Sequence, residues 1–200
     1  ITIYPTIYLI SMTFYAYNPI TYKNPVFIGI ANYVNVLESI RFWNSIGVSA
    51  LFSAGVVTIE FFLGLAIAHV LSGGVRFRRF FRTAFLLPML VPPIVGIEWK
   101  LLYSDTFGVI NPFLNIFGIE GPNWLGSPSI ALLSIIISDV WMWTPFMMLV
   151  LLAGMEGIPR EPIEAAQIDG ASSWRIFRHV TLPMLGPVIV VALLLSLIHI

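Results

Sequence analysis

Long apolar stretches separated by short polar ones dominate the chain. A bilayer core roughly 30 Å thick requires about 20 apolar residues of helix, and the stretches 46–71, 83–103 and 130–155 reach that length. Two shorter apolar stretches, 1–17 and 185–200, stand at the ends of the chain. The pattern therefore predicts an all-α polytopic membrane protein with five visible spans, and we expect the chain to be truncated at both ends.

The basic residues are concentrated in two of the four connecting loops. Loop 72–82 holds four arginines and loop 156–184 holds three, whereas loops 18–45 and 104–129 hold two basic residues between them. Lysine and arginine are preferentially retained in short cytoplasmic loops. The first two loops are therefore predicted to be cytoplasmic and the other two external.

The composition supports a membrane protein and excludes several other classes. Hydrophobic residues make up 58% of the chain and charged residues only 10%, whereas about a quarter of a soluble domain is charged. Ten basic residues balance ten acidic ones, so the chain has no excess of positive charge for a nucleic-acid backbone. There are no cysteines, and neither lysine follows a glycine as in an ATP-hydrolysing P-loop. We expect no catalytic residues, metal or bound nucleotide in this chain.

Prolines and carboxylates interrupt the predicted spans. Pro88, Pro92 and Pro93 fall in span 83–103, and a broken helix at membrane depth is tolerated only inside protein or beside a cavity. This favours a transport path, although a kink that serves packing is the alternative. Glu60 and Asp139 should also face protein or water, because a charge at the bilayer centre costs at least about 2.5 kcal/mol.

Loop 156–184 has the pattern of two short helices joined by a tight turn. Pro162 suits the first turn of a helix, and Gly170 suits the left-handed residue just past its end. In the second helix Trp174 and Phe177 share a face. Helices shorter than about 12 to 15 residues are marginal in water, so the pair is expected to need a partner surface or to fold back on the spans.

An ordered set of residues in this loop carries a family resemblance. The set is Glu164-Ala165-Ala166, Asp169-Gly170-Ala171, Phe177 and Leu182-Pro183. It resembles the EAA loop in permease subunits of type I ABC importers, and similarity continues upstream over nearly the whole chain, through Asp139 to Phe146, Trp124, Asn111 and Trp99. The resemblance is strongest to the carbohydrate branch, which includes the maltose and glycerol-phosphate permeases.

This resemblance implies a single six-helix permease domain, of which residues 1–200 contain five helices, in the cytoplasmic (inner) membrane of a bacterium or archaeon. It implies a second permease, ATPase subunits that bind ATP and Mg, a periplasmic or lipid-anchored solute-binding protein and surrounding lipid as partners. No cofactor is implied for this chain.

The EAA loop of the family couples the permease to the ATPase. Carried over to this chain, Glu164 would meet a basic group, Gly170 would form the turn, and Ala165, Ala166 and Phe177 would shape the contact. The chain departs from the family at Gln167, where many relatives carry a basic residue. It also departs at 196–200, which does not resemble the family's continuation.

Aromatic residues near the span ends are candidates for a sugar path, because aromatic rings cover the apolar C–H faces of sugars. The predicted path residues are Trp99, Tyr103, Asp139, Trp141, Trp143 and Phe146. The alternative for the aromatic residues is an interfacial belt. A different function is an ion-gradient-driven secondary transporter or channel that uses Glu60 and Asp139. An intramembrane hydrolase lacks a recognisable nucleophile and base.

Overall fold

The computed structural model describes residues 2–17, 24–74, 76, 78–90 and 92–200. The remaining positions belong to two predicted spans, 1–17 and 83–103, and two predicted loops, 18–45 and 72–82. Those parts of the predictions lie outside the described residues. The chain divides into two compact units, residues 1–51 and 52–200, which are described separately.

The first unit contains two short helices, a small sheet and the beginning of a long helix. Helix α1 (Ile3–Met12) is followed by the antiparallel strands β1 (Tyr15–Ala16) and β2 (Val26–Phe27), then by helix α2 (Ala31–Glu38). The two-residue strands are a small exception to the all-α prediction. At 10 residues, α1 is about 15 Å long and cannot cross a bilayer alone.

Side-chain hydrogen bonds join α2 to the end of α1. The amide of Asn32 donates to the carbonyls of Thr13 at 2.8 Å and Tyr15 at 3.2 Å. The hydroxyls of Thr13 and Tyr33 are 2.7 Å apart. Asn32 and Tyr33 therefore satisfy polar groups where the first helix ends.

Two long helices account for two of the predicted spans. Helix α3 (Ile40–Ser72) has 33 residues and α7 (Pro128–Glu156) has 29, and both are apolar and long enough to cross a membrane. They contain the predicted spans 46–71 and 130–155. Each helix extends beyond the predicted span because its polar end residues continue the helix outside the apolar stretch.

The predicted span 83–103 is not a single straight helix. Helix α4 (Arg78–Phe85), a 3-10 turn (Leu87–Leu90) and α5 (Pro92–Leu102) cover it, and the segments Arg78–Met89 and Ile94–Leu102 are bent by 86°. Pro88 lies in the 3-10 turn and Pro92 begins α5. Because proline lacks a backbone N–H and blocks the preceding turn, the helix breaks where the prolines stand.

The remaining helices lie in the predicted loops and at the end of the chain. Helix α6 (Ile110–Ile116) is in the predicted external loop, and α8 (Arg160–Ile168) and α9 (Ser173–Ile176) are in the predicted cytoplasmic loop. A π-helical turn (Phe177–Thr181) and α10 (Leu182–Met184) lead to α11 (Gly186–His199). The segment Ser173–Met184 and α11 are bent by 67°, at Leu185 between two prolines.

Helix α7 packs against both α3 and α11 in the second unit, and side chains of all three helices share one buried cluster. A Cβ added to Gly64 of α3 would lie 2.7 Å from the Met147 side chain and 3.0 Å from the Met148 nitrogen. A Cβ added to Gly154 of α7 would lie 2.7 Å from Val188. Glycine is required at both contacts because the helices approach more closely than any side chain allows.

The Gly64 contact gives a test of this packing. Gly64→Ala should lower the apparent melting temperature of the purified protein in detergent, because overpacking a tight contact costs about 1–3 kcal/mol. Gly96→Ala in α5 is the matched control, since a Cβ there meets nothing within 4 Å, and it should leave the melting temperature unchanged or slightly higher. Equal melting temperatures for the two variants would contradict the close contact of α3 and α7.

Candidate functional site: a helix pair after α7 and an apolar cavity

The helix pair after α7 is closed by the predicted glycine turn. Gly170 has φ +76°, which confirms the left-handed conformation expected from the sequence. The N–H of Ala171 donates to the carbonyl of Ala166 at 3.0 Å, and the N–H of Gly170 donates to that of Gln167 at 3.0 Å. These bonds satisfy carbonyls at the end of α8, so the chain reverses immediately into α9.

Phe177 connects the helix pair to the membrane helices. Its ring is buried, lies 4.4 Å from the His69 ring of α3 and stacks on Trp174 at 5.6 Å. It belongs to the same buried cluster as Leu71 of α3 and Leu152 of α7. The pair therefore folds back on the spans through Phe177, and any part of Phe177 in a partner contact is indirect.

Much of the remaining surface of the helix pair is exposed. Ile168 is 87% exposed and Trp174 is 66% exposed, and Glu164, Ala165 and Asp169 are exposed as well. Ala166 and Ala171 are half-buried and, with Arg175 and His179 among others, line a shallow depression of about 310 Å³. We call the surface formed by Glu164, Ala165, Ile168 and Trp174 the loop surface.

An ion pair joins the two arginine-containing loops. Arg78 at the start of α4 is paired with Glu156, the last residue of α7. Both predicted cytoplasmic loops therefore lie at the same end of the second unit, as the arginine distribution requires. Nothing in the local sequence pattern identifies this pair, because its members are far apart in the chain.

An aromatic column stands beside the predicted external loop. We define it as Trp99, Tyr103, Trp124 and Trp141, whose neighbouring ring centroids are 5.3 to 5.7 Å apart. The hydroxyl of Tyr103 is buried and donates to the Ser134 carbonyl at 3.0 Å. The column thus joins α5, α7 and the loop between them.

Further hydrogen bonds hold this loop in place. The indole N–H of Trp124 donates to Oδ1 of Asn111 in α6 at 2.6 Å. The Ser134 hydroxyl of α7 donates to the Trp124 carbonyl at 2.9 Å. Two of the predicted path residues, Trp99 and Tyr103, therefore lie in a network that positions the loop.

A cavity of about 910 Å³ lies between α3, α4, α5 and α7. Its wall is mainly aliphatic, and its polar groups are Glu98, Thr144 and the indole of Trp141. The Thr144 hydroxyl is buried and has no hydrogen-bond partner within the described ranges. Among the predicted path residues, Trp141 lines this cavity, and Thr144 and Glu98 are additions that only the structure reveals.

The other predicted path residues lie on a different face of α7. Asp139, Trp143 and Phe146 line a cavity of about 10 Å³, roughly the space of one water molecule. Glu60 faces the same cavity, is 2% exposed and accepts a hydrogen bond of 2.7 Å from Ser196. Oε1 of Glu60 and Oδ2 of Asp139 have no hydrogen-bond partner in the described part of the chain. Both carboxylates face protein, as expected.

The described residues contain no group of three His, Asp or Glu side chains that could hold a metal ion. The polar groups of the second unit are dispersed along α3, α5 and α7, and the arrangement suits positioning and packing.

Comparison with known proteins places this arrangement in a family. Residues 60–200 match the family model of the binding-protein-dependent transport system inner membrane component. The chain belongs to this family. It is a family of membrane transport components and not of enzymes, and the long apolar helices agree with that assignment.

Two curated relatives are similar over most of this chain. The trehalose/maltose transport system permease protein of Thermococcus litoralis is 44% identical over 173 residues, which are 86% of this chain and 59% of the relative. The trehalose transport system permease protein of Mycobacterium tuberculosis is 36% identical over 195 residues, 97% of this chain and 62% of the relative. The chain thus spans about three fifths of the length of these relatives.

Solved structures share the fold. The chain matches a crystal structure of a bacterial ABC transporter involved in import of the acidic polysaccharide alginate with a TM-score of 0.83 and 26% identity, over 98% of this chain and 67% of that one. A second match is a crystal structure of a bacterial alginate ABC transporter in complex with an alginate pentasaccharide-bound periplasmic protein. Its TM-score is 0.77 and its sequence identity 27%, and the match covers 85% of this chain and 60% of that one. The importer-permease fold expected from the resemblance is confirmed.

The aromatic column leads to a testable result in this permease-family chain. Tyr103→Ala should make the loop 104–127 more sensitive to chymotrypsin, because the ring that joins α5 to Trp124 is lost. The exposed cleavage targets in this loop are Phe107, Phe113 and Phe117. Tyr103→Phe is the control, since it removes only one hydrogen bond, worth about 1 kcal/mol. If Tyr103→Ala is cleaved no faster than Tyr103→Phe, the column does not hold the loop.

Proposed function

We propose that this chain is a permease subunit of an ATP-driven, binding-protein-dependent importer and forms part of the path for a sugar or related polar solute. Two observations support the proposal. The relatives are named as permeases for trehalose and maltose, and the helix pair carries an exposed apolar surface beside a turn that requires glycine. The second observation matters most, because it explains why the chain carries the EAA residues.

The loop surface is suited to a protein partner. Single exposed apolar side chains are ordinary, but Ile168 and Trp174, which are among the more exposed large apolar side chains of the second unit, stand on either side of the Gly170 turn. We infer that an ATPase subunit covers them, that Glu164 contacts a basic group there, and that Ala165 allows close approach.

The same helix pair can transmit movement to the membrane helices. Phe177 is packed with Leu71 of α3, Leu152 of α7 and Leu185 before α11 in one buried cluster. Packed interiors resist compression and transmit displacement. A push on the loop surface would therefore reach the membrane helices through Phe177 and the residues packed with it, and Leu182 and Pro183 lie in the bent segment that leads into α11.

The remaining partners follow from the proposed assembly. ATP and Mg would be bound by separate ATPase subunits, a second permease would complete the path, and a periplasmic or lipid-anchored binding protein would deliver the solute from outside. A binding protein accompanies one of the similar transporters. We place the protein in the cytoplasmic membrane of a bacterium or archaeon, crossing it several times, with 156–184 as the cytoplasmic coupling loop of a permease domain.

The large cavity is our candidate for a part of the solute path. Ligand sites are typically concave, mostly apolar and equipped with a few polar groups that fix orientation. Trp141 offers an aromatic face, and Thr144 and Glu98 offer hydrogen-bonding groups in the same wall. Of the six path residues predicted from sequence, Trp141 is therefore the one we assign to direct solute contact.

An ion-gradient-driven transporter is the second candidate function. The observation in its favour is the pair of buried carboxylates, Glu60 and Asp139, each with an oxygen that lacks a hydrogen-bond partner in the described residues. Such groups in membrane helices often belong to ion pathways. This function leaves the exposed loop surface unexplained.

Gly170→Val tests the proposed coupling. In the importer assembled from the complete permease and its partners, this variant should lose ATP-dependent uptake and co-purification of the ATPase. A β-branched residue at φ +76° is strained by about 1–3 kcal/mol, and this strain should open the turn. The strain comes from the backbone conformation, since a Cβ at position 170 meets nothing within 4 Å.

Gly118→Val is the matched control, because Gly118 has φ +73° and equally open surroundings in the predicted external loop. It should strain the backbone to the same extent and retain the ATPase. The coupling role of the loop would be wrong if Gly170→Val kept both the bound ATPase and normal uptake.

A further inference from the structure

Helix α4 gathers its arginines on one side, with aromatic side chains outside that side. Its sequence is Arg-Arg-Phe-Phe-Arg-Thr-Ala-Phe. At roughly 100° per residue, the arginines at 78, 79 and 82 fall within about 100° of one another, Phe80 and Phe81 lie outside this arc, and Phe85 lies close to Arg78. Phe80 is 67% exposed and Phe81 is 42% exposed. The helix contains no acidic residue.

Two of the three arginines are not neutralised by this chain. Arg78 is paired with Glu156. Arg79 and Arg82 are exposed, and neither is paired with a carboxylate among the residues described by the structure. Two positive charges therefore stand in α4 with two exposed aromatic rings, and the described part of the chain provides no carboxylate partner for them.

The ion pair also relates α4 to one end of α7. Helix α7 has 29 residues and is about 44 Å long, so a bilayer core of about 30 Å is too thin to contain all of it. Glu156 is its last residue and directly follows the predicted span 130–155, and the pair holds Arg78 beside it. Arg79 and Arg82 follow within about one turn of α4.

We propose that α4 binds anionic phospholipid headgroups at the cytoplasmic surface of the membrane. Arg79 and Arg82 contact the phosphates, since the planar guanidinium matches phosphate oxygens, and Phe80 and Phe81 enter the boundary of the acyl chains, as aromatic residues do at interfaces. Charge complementarity identifies the partner, because a cationic edge beside apolar rings suits a surface with negative headgroups and hydrocarbon below them.

This binding site lies outside the proposed coupling surface and does not depend on ATP-driven transport. Its consequence is local. A lipid bound at α4 would hold the segment that leads into the broken helix, where the 3-10 turn and α5 follow. The Arg78–Glu156 pair connects the same segment to the end of α7.

Native mass spectrometry of the purified, delipidated chain in neutral detergent tests the proposal. It counts the bound molecules of dioleoyl phosphatidylglycerol, the anionic probe, and of dioleoyl phosphatidylcholine, the probe without net charge. The wild-type protein should prefer the anionic lipid. Arg79→Gln with Arg82→Gln should weaken its binding by about thirtyfold and leave phosphatidylcholine binding unchanged. Arg79→Lys with Arg82→Lys should retain most of the preference, because the charge remains.

Arg175→Gln with Arg178→Gln is the matched control, since it removes two exposed arginines from the other cytoplasmic loop and changes the net charge equally. It should leave the preference intact. An equal loss in both glutamine variants would show a general charge effect and overturn the proposal, as would full retention after Arg79→Gln with Arg82→Gln. Soluble glycerol 3-phosphate at the same concentration should not displace the lipid, and displacement would indicate a phosphate site instead of a membrane surface.

Discussion

Close packing of α7 against α3 and α11 is the constraint on which the second unit depends. Gly64 lets α3 approach the backbone of Met148, and Gly154 lets Val188 approach α7. In a bilayer, lipid tails are as apolar as leucine, so helix association depends on such close contacts and not on burial from water. With both contacts fixed, the residues on the remaining faces of α7 acquire defined surroundings.

Those surroundings differ along α7. One face meets the large cavity with Trp141 and Thr144, and another carries Asp139 and Trp143 beside Glu60. At its C-terminal end Glu156 pairs with Arg78, and Phe177 brings the helix pair against the bundle. A single helix therefore connects the aromatic column, the proposed solute cavity and the proposed coupling loop.

The sequence predicted the features that depend on local chemistry. Apolar length identified α3 and α7, and the need for a left-handed residue identified the turn at Gly170. Helical phase was harder to use for the path residues. Trp141 and Trp143 are two positions apart, about 200° around a helix, so they reach different cavities although both stand near the same depth.

Features that depend on distant partners could not be predicted. The Arg78–Glu156 pair, the Tyr103–Ser134 bond and the contact of Phe177 with His69 join residues widely separated in sequence. The broken course of 83–103 was signalled by its prolines, whereas the 86° angle of the bend required the structure. The EAA residues were recognised by their order, whereas the burial of Phe177 and the exposure of Trp174 required the structure.

The energy source of uptake tests the central claim most directly. The complete permease, with its partner permease, ATPase and binding protein, would be reconstituted in liposomes with ATP on the ATPase side or with an imposed proton or sodium gradient. We predict sugar uptake that requires ATP and the binding protein and persists when ionophores collapse every gradient. Uptake driven by a gradient without ATP, and abolished by Glu60→Gln or Asp139→Asn, would contradict the account.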